Sequence, residues 1–448
     1  MLLTWLTLGK QDTTRAPSVC MSSETFTRGL SSMRSARLSV MLMVGQVRPR
    51  AEPPGEHAMA MKKWSYAERG HQLSPSSWNN FASCPRKLWL SRQRLPRKAG
   101  MASAIGTAVH NSVEDVVNLD LSGREGGEID WLPSTANAIL EKQWEAERET
   151  FMATPRHPRW KAEEYPRARK LLIGSLNILF AKAQTGQIAL SQVSVDIWRQ
   201  IQGIVLAAEG TLRTSCGRLM GRLDLLVSDL DENGEVVGWI VADLKTGKPP
   251  SGELYDTVSR QLRFYRDILC ENNPGHPPVR AEGWYSNGSV VFEAEGPSVL
   301  PEAFEAWEAS RITEKPMEAT PSDEACAFCE WKAWCPAWLP AQAKGELKPS
   351  GIFRDMVAIL EKVEVENGIC LVERMGPIDE DGGLASTGQR AGAVFAGQAL
   401  DRLKALVEEG HEGPVFLGGV RLDGETWKLG DWCDVLPWTP LLKGRKRD

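Results

Sequence analysis

Two apolar segments that each carry a carboxylate constrain this 448-residue chain more than any other feature. The first covers residues 221–226 (GRLDLL), and the second covers residues 241–245 (VADLK). Both have the composition of β-strands, and an Asn-Gly pair between them is a strong hairpin signal. An antiparallel pairing would bring Asp224 to Asp243 at one end of a sheet. Lys245 would share a face with Asp243, because side chains two apart in a strand point the same way.

This set of charges suits the hydrolysis of a phosphodiester. Two carboxylates bind a hard cation such as Mg²⁺ or Mn²⁺, and a neighbouring lysine can orient a water and stabilise developing charge. The alternative is a surface salt bridge on an exposed hairpin. The apolar neighbours of Asp224 and Asp243 argue against it, since unpaired buried charges are costly.

Two further segments supply candidate partners for this site. A predicted helix over residues 104–118 places His110 and Glu114 one turn apart, on one face. His110 is a candidate metal ligand and Glu114 a candidate accessory acid, although a lone histidine on a helix is more often structural. On the helix predicted after the hairpin, Gln261 and Tyr265 also share a face.

Three cysteines lie within ten residues and form a second group. Cys326, Cys329 and Cys335 have chelating spacing, and a tetrahedral metal or a four-iron cluster needs a fourth ligand. From spacing alone, zinc and iron–sulfur fit equally well, and a disulfide is disfavoured because nothing indicates an oxidising compartment. The candidates for the fourth ligand are Cys84 in a basic stretch, and Cys20, Cys216, Cys270, Cys370 and Cys433.

The stretch around Cys84 is rich in cations. With a formal net charge of −5, the chain does not suit nonspecific wrapping of nucleic acid by bulk charge, but a local basic groove is compatible with that charge. Arg86, Lys87, Arg92 and Arg94 are therefore candidates for a phosphate-tracking surface, with a solvated helix face as the alternative.

The wider pattern predicts an α/β core with a mixed central sheet. Helices are expected near residues 77–92 (interrupted at Pro85), 104–118, 130–185, 253–270 and 301–311. Strands are expected at 194–201, 205–213, 218–229, 235–245, 279–285 and 289–294.

The ends of the chain differ from this core. Residues 1–60 are expected to be a disordered leader, or a mis-assigned start ahead of Met61, and residues 341–350 a linker. Residues 351–440 are predicted to form a small α+β module with a helix at 394–409, and residues 441–448 a basic tail. No segment is apolar enough to span a bilayer, and no phosphate-binding loop indicates ATP use.

Taken in order, these motifs resemble the RecB-type branch of the PD-(D/E)XK nuclease superfamily. The order is His110, Gly221-x-x-Asp224, Asp243-x-Lys245 and Gln261-x3-Tyr265. The cysteine pattern, with the opening SPSSWNNFASCP, is similar to the iron–sulfur subgroup, which includes the AddB nuclease domain and CRISPR-associated spacer-acquisition nucleases. The similarity covers about residues 72–340.

The resemblance implies a restriction-endonuclease-like fold over residues 62–340 and a role for each residue. His110, Asp224, Asp243 and the carbonyl of Leu244 would bind Mg²⁺ or Mn²⁺, and Lys245 would position the attacking water. Gln261 and Tyr265 would engage DNA or support the site. A [4Fe–4S] cluster would join the start of the domain to its end through Cys84, Cys326, Cys329 and Cys335.

The expected activity is that of a cytoplasmic DNA exonuclease, in a prokaryotic or virus-infected cell. It would act on single strands or DNA ends in recombination or repair, with a partner protein. The alternative is a catalytically silent DNA-binding or assembly subunit, and the presence of Asp224, Asp243 and Lys245 together argues against it. For residues 351–440, single-strand binding in the manner of OB-like folds and a docking or dimerisation role are equal expectations.

Overall fold

The computed structural model describes residues 71–348 and 351–444. The predicted leader lies outside the described residues, as do Cys20, part of the predicted linker and the last four residues of the basic tail. No described helix is long and apolar enough to cross a membrane.

The first two helices meet at a cysteine. Helix α1 (Pro75–Ser83) begins at Ser74, whose hydroxyl accepts a hydrogen bond from the Ser77 N–H, and α2 spans Pro85–Ser91. Cys84 is the extended residue between them, because Pro85 cannot continue α1 but is well suited to the first turn of α2. The break predicted at Pro85 is therefore present.

Four further helices precede the sheet and cover one of its faces. They are α3 (Met101–Val117), α4 (Trp131–Ala153), α5 (Tyr165–Lys182) and α6 (Val195–Ile204). The strand predicted at 194–201 was wrong, since this segment is α6. Its β-branched residues favoured a strand, but Val195, Trp198 and Ile201 are buried at helical spacing, and Ser194 caps the helix.

A mixed five-stranded sheet forms the centre of the first domain, in the order β1-β2-β3-β4-β5. Only β3 and β4 are parallel, and α7 connects them; the other neighbours are antiparallel. The elements are β1 (Val205–Arg213), β2 (Met220–Leu230), β3 (Val236–Lys245), α7 (Asp256–Asn272), β4 (Val279–Tyr285), β5 (Val290–Glu293) and α8 (Leu300–Ala309).

Both faces of this sheet are buried, as the long apolar runs of β2 and β3 require. Ala242 and Leu244 pack in the core shared with α3 to α6. Val241, one position away, packs in the core shared with Phe264 and Tyr265 of α7. This alternation places Asp243 and Lys245 on the face covered by α7. The predicted α/β core with helices flanking a mixed sheet is therefore confirmed.

A tryptophan-rich core joins the cysteine segment to the C-terminal domain. After α9 (Asp323–Ala327), a short 3-10 turn at Lys332–Trp334 leads to α10 (Trp338–Ala343). The predicted linker thus begins inside α10. Trp331, Trp334 and Trp338 are buried together with Trp89 from α2 and with Phe416 from the second domain.

The C-terminal domain is a small closed β-barrel, so the predicted α+β module is corrected. Five strands close in the order β6-β7-β8-β10-β9 and back to β6, and β11 is added beside β9. Such a five-stranded barrel, with a helix between its third and fourth strands, has the architecture of an OB fold. The elements are β6 (Phe353–Glu364), β7 (Ile369–Pro377), β8 (Leu384–Phe395), α11 (Gln398–Glu408), β9 (Val415–Asp423), β10 (Thr426–Leu429) and β11 (Asp434–Pro437).

Strand β8 explains why sequence reasoning missed the barrel. Most of its side chains from Ala385 to Arg390 are exposed and polar or small, so it lacks the alternation of a half-buried strand. The predicted helix at 394–409 also began too early, because Val394 and Phe395 belong to β8 and α11 starts at Gln398.

Candidate active site

The predicted hairpin brings the two carboxylates together at one end of the sheet. Leu225 of β2 pairs with Ala242 of β3, so Asp224 lies beside Asp243. The Oδ2 atom of Asp224 accepts a hydrogen bond of 2.7 Å from the Leu244 N–H. In the turn, Asp231 accepts hydrogen bonds from the Asn233 and Glu235 N–H groups, which fixes the hairpin register.

Asp243 is the most buried charge of the site, with only 3% of its surface exposed. Burial, together with the adjacent charge of Asp224, raises the pKa of Asp243 to about 6, although Lys245 opposes the shift. Its Oδ2 atom is held by the Lys245 ammonium and has no other donor among the described residues. Two carboxylates this close together, one of them buried, are suited to bind a divalent cation.

Gln261 of α7 holds Asp243 and Lys245 in fixed positions. Its amide nitrogen donates to Asp243 Oδ1 at 2.9 Å, and its amide oxygen accepts from Lys245 Nζ at 3.0 Å. The same nitrogen lies 3.0 Å from the hydroxyl of Tyr265, one turn along the helix. Gln261 therefore supports the site directly, and Tyr265 supports Gln261.

Gly221 allows Tyr265 to reach this position. A Cβ atom at residue 221 would overlap the ring of Tyr265, so only glycine leaves room for the ring against β2. Burial, and then the charge of Asp243, raise the pKa of Tyr265, so its hydroxyl stays neutral. The Gly-x-x-Asp spacing thus serves both the packing of Tyr265 and the placement of Asp224.

His110 of α3 lies on the other side of Asp224. Its Nδ1 is 3.5 Å from Asp224 Oδ1. Burial lowers the pKa of His110, but its hydrogen bond to Asp224 and the negative charge of that residue outweigh burial and leave the pKa raised. Glu114 has a pKa raised by burial and lies near Arg222 rather than the carboxylate pair.

The donor set fits a hard divalent cation in part. Among the described residues, no three histidine, cysteine, aspartate or glutamate side chains form a ready-made group for a metal ion. Mg²⁺, however, typically takes only one or two carboxylates and fills its other positions with water and substrate phosphate. Asp224 and Asp243 meet that need, and His110, with its Nδ1 3.5 Å from Asp224 Oδ1, stays a predicted ligand. The carbonyl of Leu244 stays a predicted ligand.

The four cysteines named as cluster ligands line one small cavity. Cys84, Cys326, Cys329 and Cys335 come together there although Cys84 precedes the others by more than 200 residues. Arg86, Lys87 and Lys332 also line this cavity, which we call the cysteine cavity. Thiolates bound to metal carry negative charge, so these cations are well placed to stabilise them.

Without a metal, the cysteine cavity disfavours thiolates. Burial raises the pKa of Cys329 to about 11 and that of Cys335 to about 12. Among the alternatives for a fourth ligand, Cys370 and Cys433 are buried in the barrel core, and Cys216 and Cys270 do not line the cavity. The structure thus brings Cys84, and none of these others, to the three downstream cysteines.

The predicted phosphate-tracking residues differ in their surroundings. Arg86 donates to the carbonyl of Leu441, and Arg92 donates to the carbonyl of Ser310 at 2.7 Å. Both therefore make contacts within the protein. Lys87 borders the cysteine cavity and Arg94 is exposed. A role in DNA binding stays a prediction for all four residues.

Sequence reasoning missed the contact that connects the site to the cysteine cavity. Arg260, next to Gln261, lies over the ring of Trp78 and donates to Asn79, both on α1. Since Cys84 directly follows α1, this short helix links α7 to the cysteines. No spacing in the sequence signals this pair, because its members are 181 residues apart.

One comparison with known proteins identifies the family. A search of the curated proteins found no match. The family model of the PD-(D/E)XK nuclease superfamily matches residues 72–336, which is more than half of the chain and includes the carboxylate pair, Lys245, Gln261 and all four cavity cysteines. The name of this superfamily refers to nuclease activity, which is the hydrolysis of phosphodiesters in nucleic acid. This chain belongs to the PD-(D/E)XK nuclease superfamily.

Proposed function

We propose that the protein is a divalent-metal-dependent DNA nuclease of the RecB-type branch, which degrades single strands or DNA ends. One observation carries this proposal. Asp224, Asp243 and Lys245 converge at one sheet end, where the two carboxylates lie side by side and Lys245 is in ion-pair contact with buried Asp243. The restriction to DNA and to ends comes from the motif resemblance.

Each side chain has a distinct part in the hydrolysis. Asp224 and Asp243 would hold Mg²⁺ or Mn²⁺, which lowers the pKa of a bound water and offsets charge on the phosphate. Lys245 donates hydrogen bonds and, beside Asp243, would orient the attacking water and stabilise charge in the transition state. Gln261 fixes the Lys245 ammonium and the Asp243 carboxylate relative to each other.

We further propose that the cysteine cavity holds a [4Fe–4S] cluster, with zinc as the alternative. Four thiols line the cavity, as a four-iron cluster requires. Four thiols also suit zinc, so the choice of the cluster comes from the motif resemblance. The cluster would fasten α1 and α2 to the cysteine segment, so its role would be structural.

The proposal is tested by assaying purified protein on end-labelled single- and double-stranded DNA. The protein is prepared without oxygen and supplied with Mg²⁺ or Mn²⁺, or with EDTA. We expect cleavage with the cations and none with EDTA, and the product ladder shows the end at which digestion starts. Folded protein that cleaves no DNA under any of these conditions would favour the silent-subunit alternative.

A further inference from the structure

A large cavity of the described chain lies between the cysteine segment and the barrel, away from the carboxylate pair. It has a volume of about 770 Å³, within the range of ligand-binding clefts. Its walls come from residues 326–330, from α10, and from the ends of β6 and β9, and we call it the barrel groove. Cys326, Cys329, Lys332 and Trp338 line both this groove and the cysteine cavity.

Exposed aromatic rings line the barrel groove. Phe328, between two of the cavity cysteines, is 90% exposed, and Trp432 and Phe353 are about half exposed. Trp432 and Phe353 are in edge-to-face contact, with ring centres 6.1 Å apart. The indole N–H of Trp432 donates to the carbonyl of Gly419 at 3.0 Å, which holds the ring in place. Rings left open to solvent in a groove are uncommon unless something covers them.

Most of the free charges of the groove are positive. Lys348, Arg354 and Arg374 line it, and no carboxylate of the described residues lies within ion-pair distance of them. Of the four acids that line the groove, in contrast, only Asp323 lacks an ion pair with a described cation. Asp355 contacts Lys332, Asp434 contacts Lys98 and Arg156, Glu330 contacts Arg97, and Asp323 accepts from the Lys348 N–H.

Aromatic rings beside unpaired cations match single-stranded nucleic acid better than a protein or a duplex. Bases that are not paired can stack on Phe328, Phe353 or Trp432, while the cations contact the phosphates. A duplex keeps its bases inside and offers no face for stacking. An apolar protein partner would leave the Arg354 and Arg374 charges without counterparts.

The outer face of β7 and β8 differs from the groove, although OB folds commonly bind oligonucleotides there. Arg390 on β8 is held by Glu361 and Glu373. Over their described lengths, β7 and β8 carry one aromatic residue, Phe395, and it is buried. The aromatic rings and free cations therefore lie at the junction with the cysteine segment.

We propose that the barrel groove binds single-stranded DNA, by stacking bases on Phe328, Phe353 and Trp432 and by pairing phosphates with Lys348, Arg354 and Arg374. That the strand is DNA rests on the proposed nuclease function. The groove would then hold a strand beside the cysteine cavity, and α1 connects that cavity to α7 of the active site.

The test measures binding and not cleavage. A fluorescent thymidine oligomer of about 20 nucleotides is titrated with the full chain in EDTA, and its anisotropy gives Kd. We expect Trp432→Ala and Phe328→Ala each to weaken binding roughly 5- to 100-fold, and Arg354→Ala to weaken it less and reduce its salt dependence. Ile378→Ala, which removes another exposed apolar side chain of the barrel outside the groove, is the matched control and should bind as the unaltered chain does.

Controls distinguish a loss of groove binding from a folding defect and from a failure of the proposed nuclease function. Each variant must keep the melting temperature and visible spectrum of the unaltered protein, because Phe328 adjoins two cavity cysteines. Binding that is lost in Trp432→Ala supports the groove even if no cleavage is ever seen. Unchanged affinity in both aromatic variants would overturn it even if the protein cleaves DNA, and so would equal binding of a duplex or binding of a uridine oligomer alone.

Discussion

The side-chain amide of Gln261 donates a 2.9 Å hydrogen bond to the buried carboxylate of Asp243. The oxygen of the same amide accepts from Lys245. A single group therefore sets the distance between the proposed metal ligand and the proposed water-orienting lysine. Tyr265, on the same face of α7, bonds the amide in turn.

Removing this amide should impair cleavage while the fold persists. Residues that orient metal ligands typically contribute about 10- to 100-fold to activity or metal affinity, and we expect Gln261→Ala to lower kcat/KM by that amount. Higher concentrations of Mn²⁺ should recover part of the loss if the carboxylates have lost their orientation. Gln187→Ala, at an exposed position outside the site, is the control. Activity equal to that of the control would contradict the role given to Gln261.

Adding one methyl group to Gly221 should disturb the site through packing. The new Cβ would overlap the ring of Tyr265, and overpacking of this kind costs about 1–3 kcal/mol. We therefore expect Gly221→Ala to lower both the Tm and the cleavage rate. Gly392→Ala is the matched variant, since it lies in strand β8 with open space around its Cβ position. A Gly221→Ala protein as stable as this control would show that Tyr265 is not confined as described.

The junction between the two domains should depend on Asp434. Its carboxylate takes hydrogen bonds from Lys98 at 2.6 Å and Arg156 at 3.2 Å, and Arg156 also donates to the carbonyls of Pro96 and Glu330. Removing one partner of a buried pair costs about 3–5 kcal/mol. We expect Asp434→Asn to melt at a lower temperature and to be cut by protease between the domains. Asp423→Asn, in an exposed pair with Lys428, should change little.

The Asp434 carboxylate should also make the stability of the protein depend on pH, and the shift of its pKa gives the direction. Burial favours the protonated form of Asp434, but Lys98 and Arg156 outweigh it and leave the pKa lowered. A lowered pKa contributes stability above the unfolded value of about 3.9, and that stability is lost as the pH falls through the folded value. The melting temperatures of Asp434→Asn and the unaltered protein should therefore converge gradually as the pH falls from about 4 through the folded value. A difference in Tm that persists unchanged at low pH would contradict this assignment.

A cluster in the cysteine cavity has its own signature. Cys329→Ser should lose the broad visible absorbance and bound iron of a [4Fe–4S] protein, and its Tm should fall, because the cluster would connect segments more than 200 residues apart. Cys216→Ser, outside the cavity, should keep both colour and iron. A colourless protein with bound zinc would establish the alternative metal, and a Cys329→Ser protein that stays brown would refute the ligand set.

The sequence predicted the site because its signals are local. Asp224, Asp243 and Lys245 each lie in a strand with a clear apolar pattern, joined by a recognisable turn, so the two strands and their pairing could be deduced. Gln261 and Tyr265 could be placed on one helix face, but the amide bridge could not, because it depends on how closely α7 packs against β3. The need for glycine at position 221 likewise becomes evident only when the position of the Tyr265 ring is known.

The missed features depend on contacts between distant segments. Strand β8 pairs with β7 and β10 although its exposed polar residues show no alternation, since backbone hydrogen bonds hold it in the barrel. The β-branched residues at 194–201 suggested a strand, whereas burial of Trp198 against the neighbouring helices favours the helix α6. The groove formed by Phe328 and Trp432 likewise joins residues about 100 positions apart.

The central claim is that Asp243 serves a metal-dependent nuclease site. The most direct measurement compares cleavage of end-labelled single-stranded DNA in Mg²⁺ or Mn²⁺ by the unaltered protein, by Asp243→Asn and by Asp229→Asn, all of confirmed folding. Asp229 lies on the same strand as Asp224 and pairs with Arg280 at the far end of the sheet, so it is a matched control. We predict that Asp243→Asn loses at least about 100-fold in rate while Asp229→Asn keeps its activity. Metal-dependent cleavage by pure Asp243→Asn at the rate of the control would contradict the account.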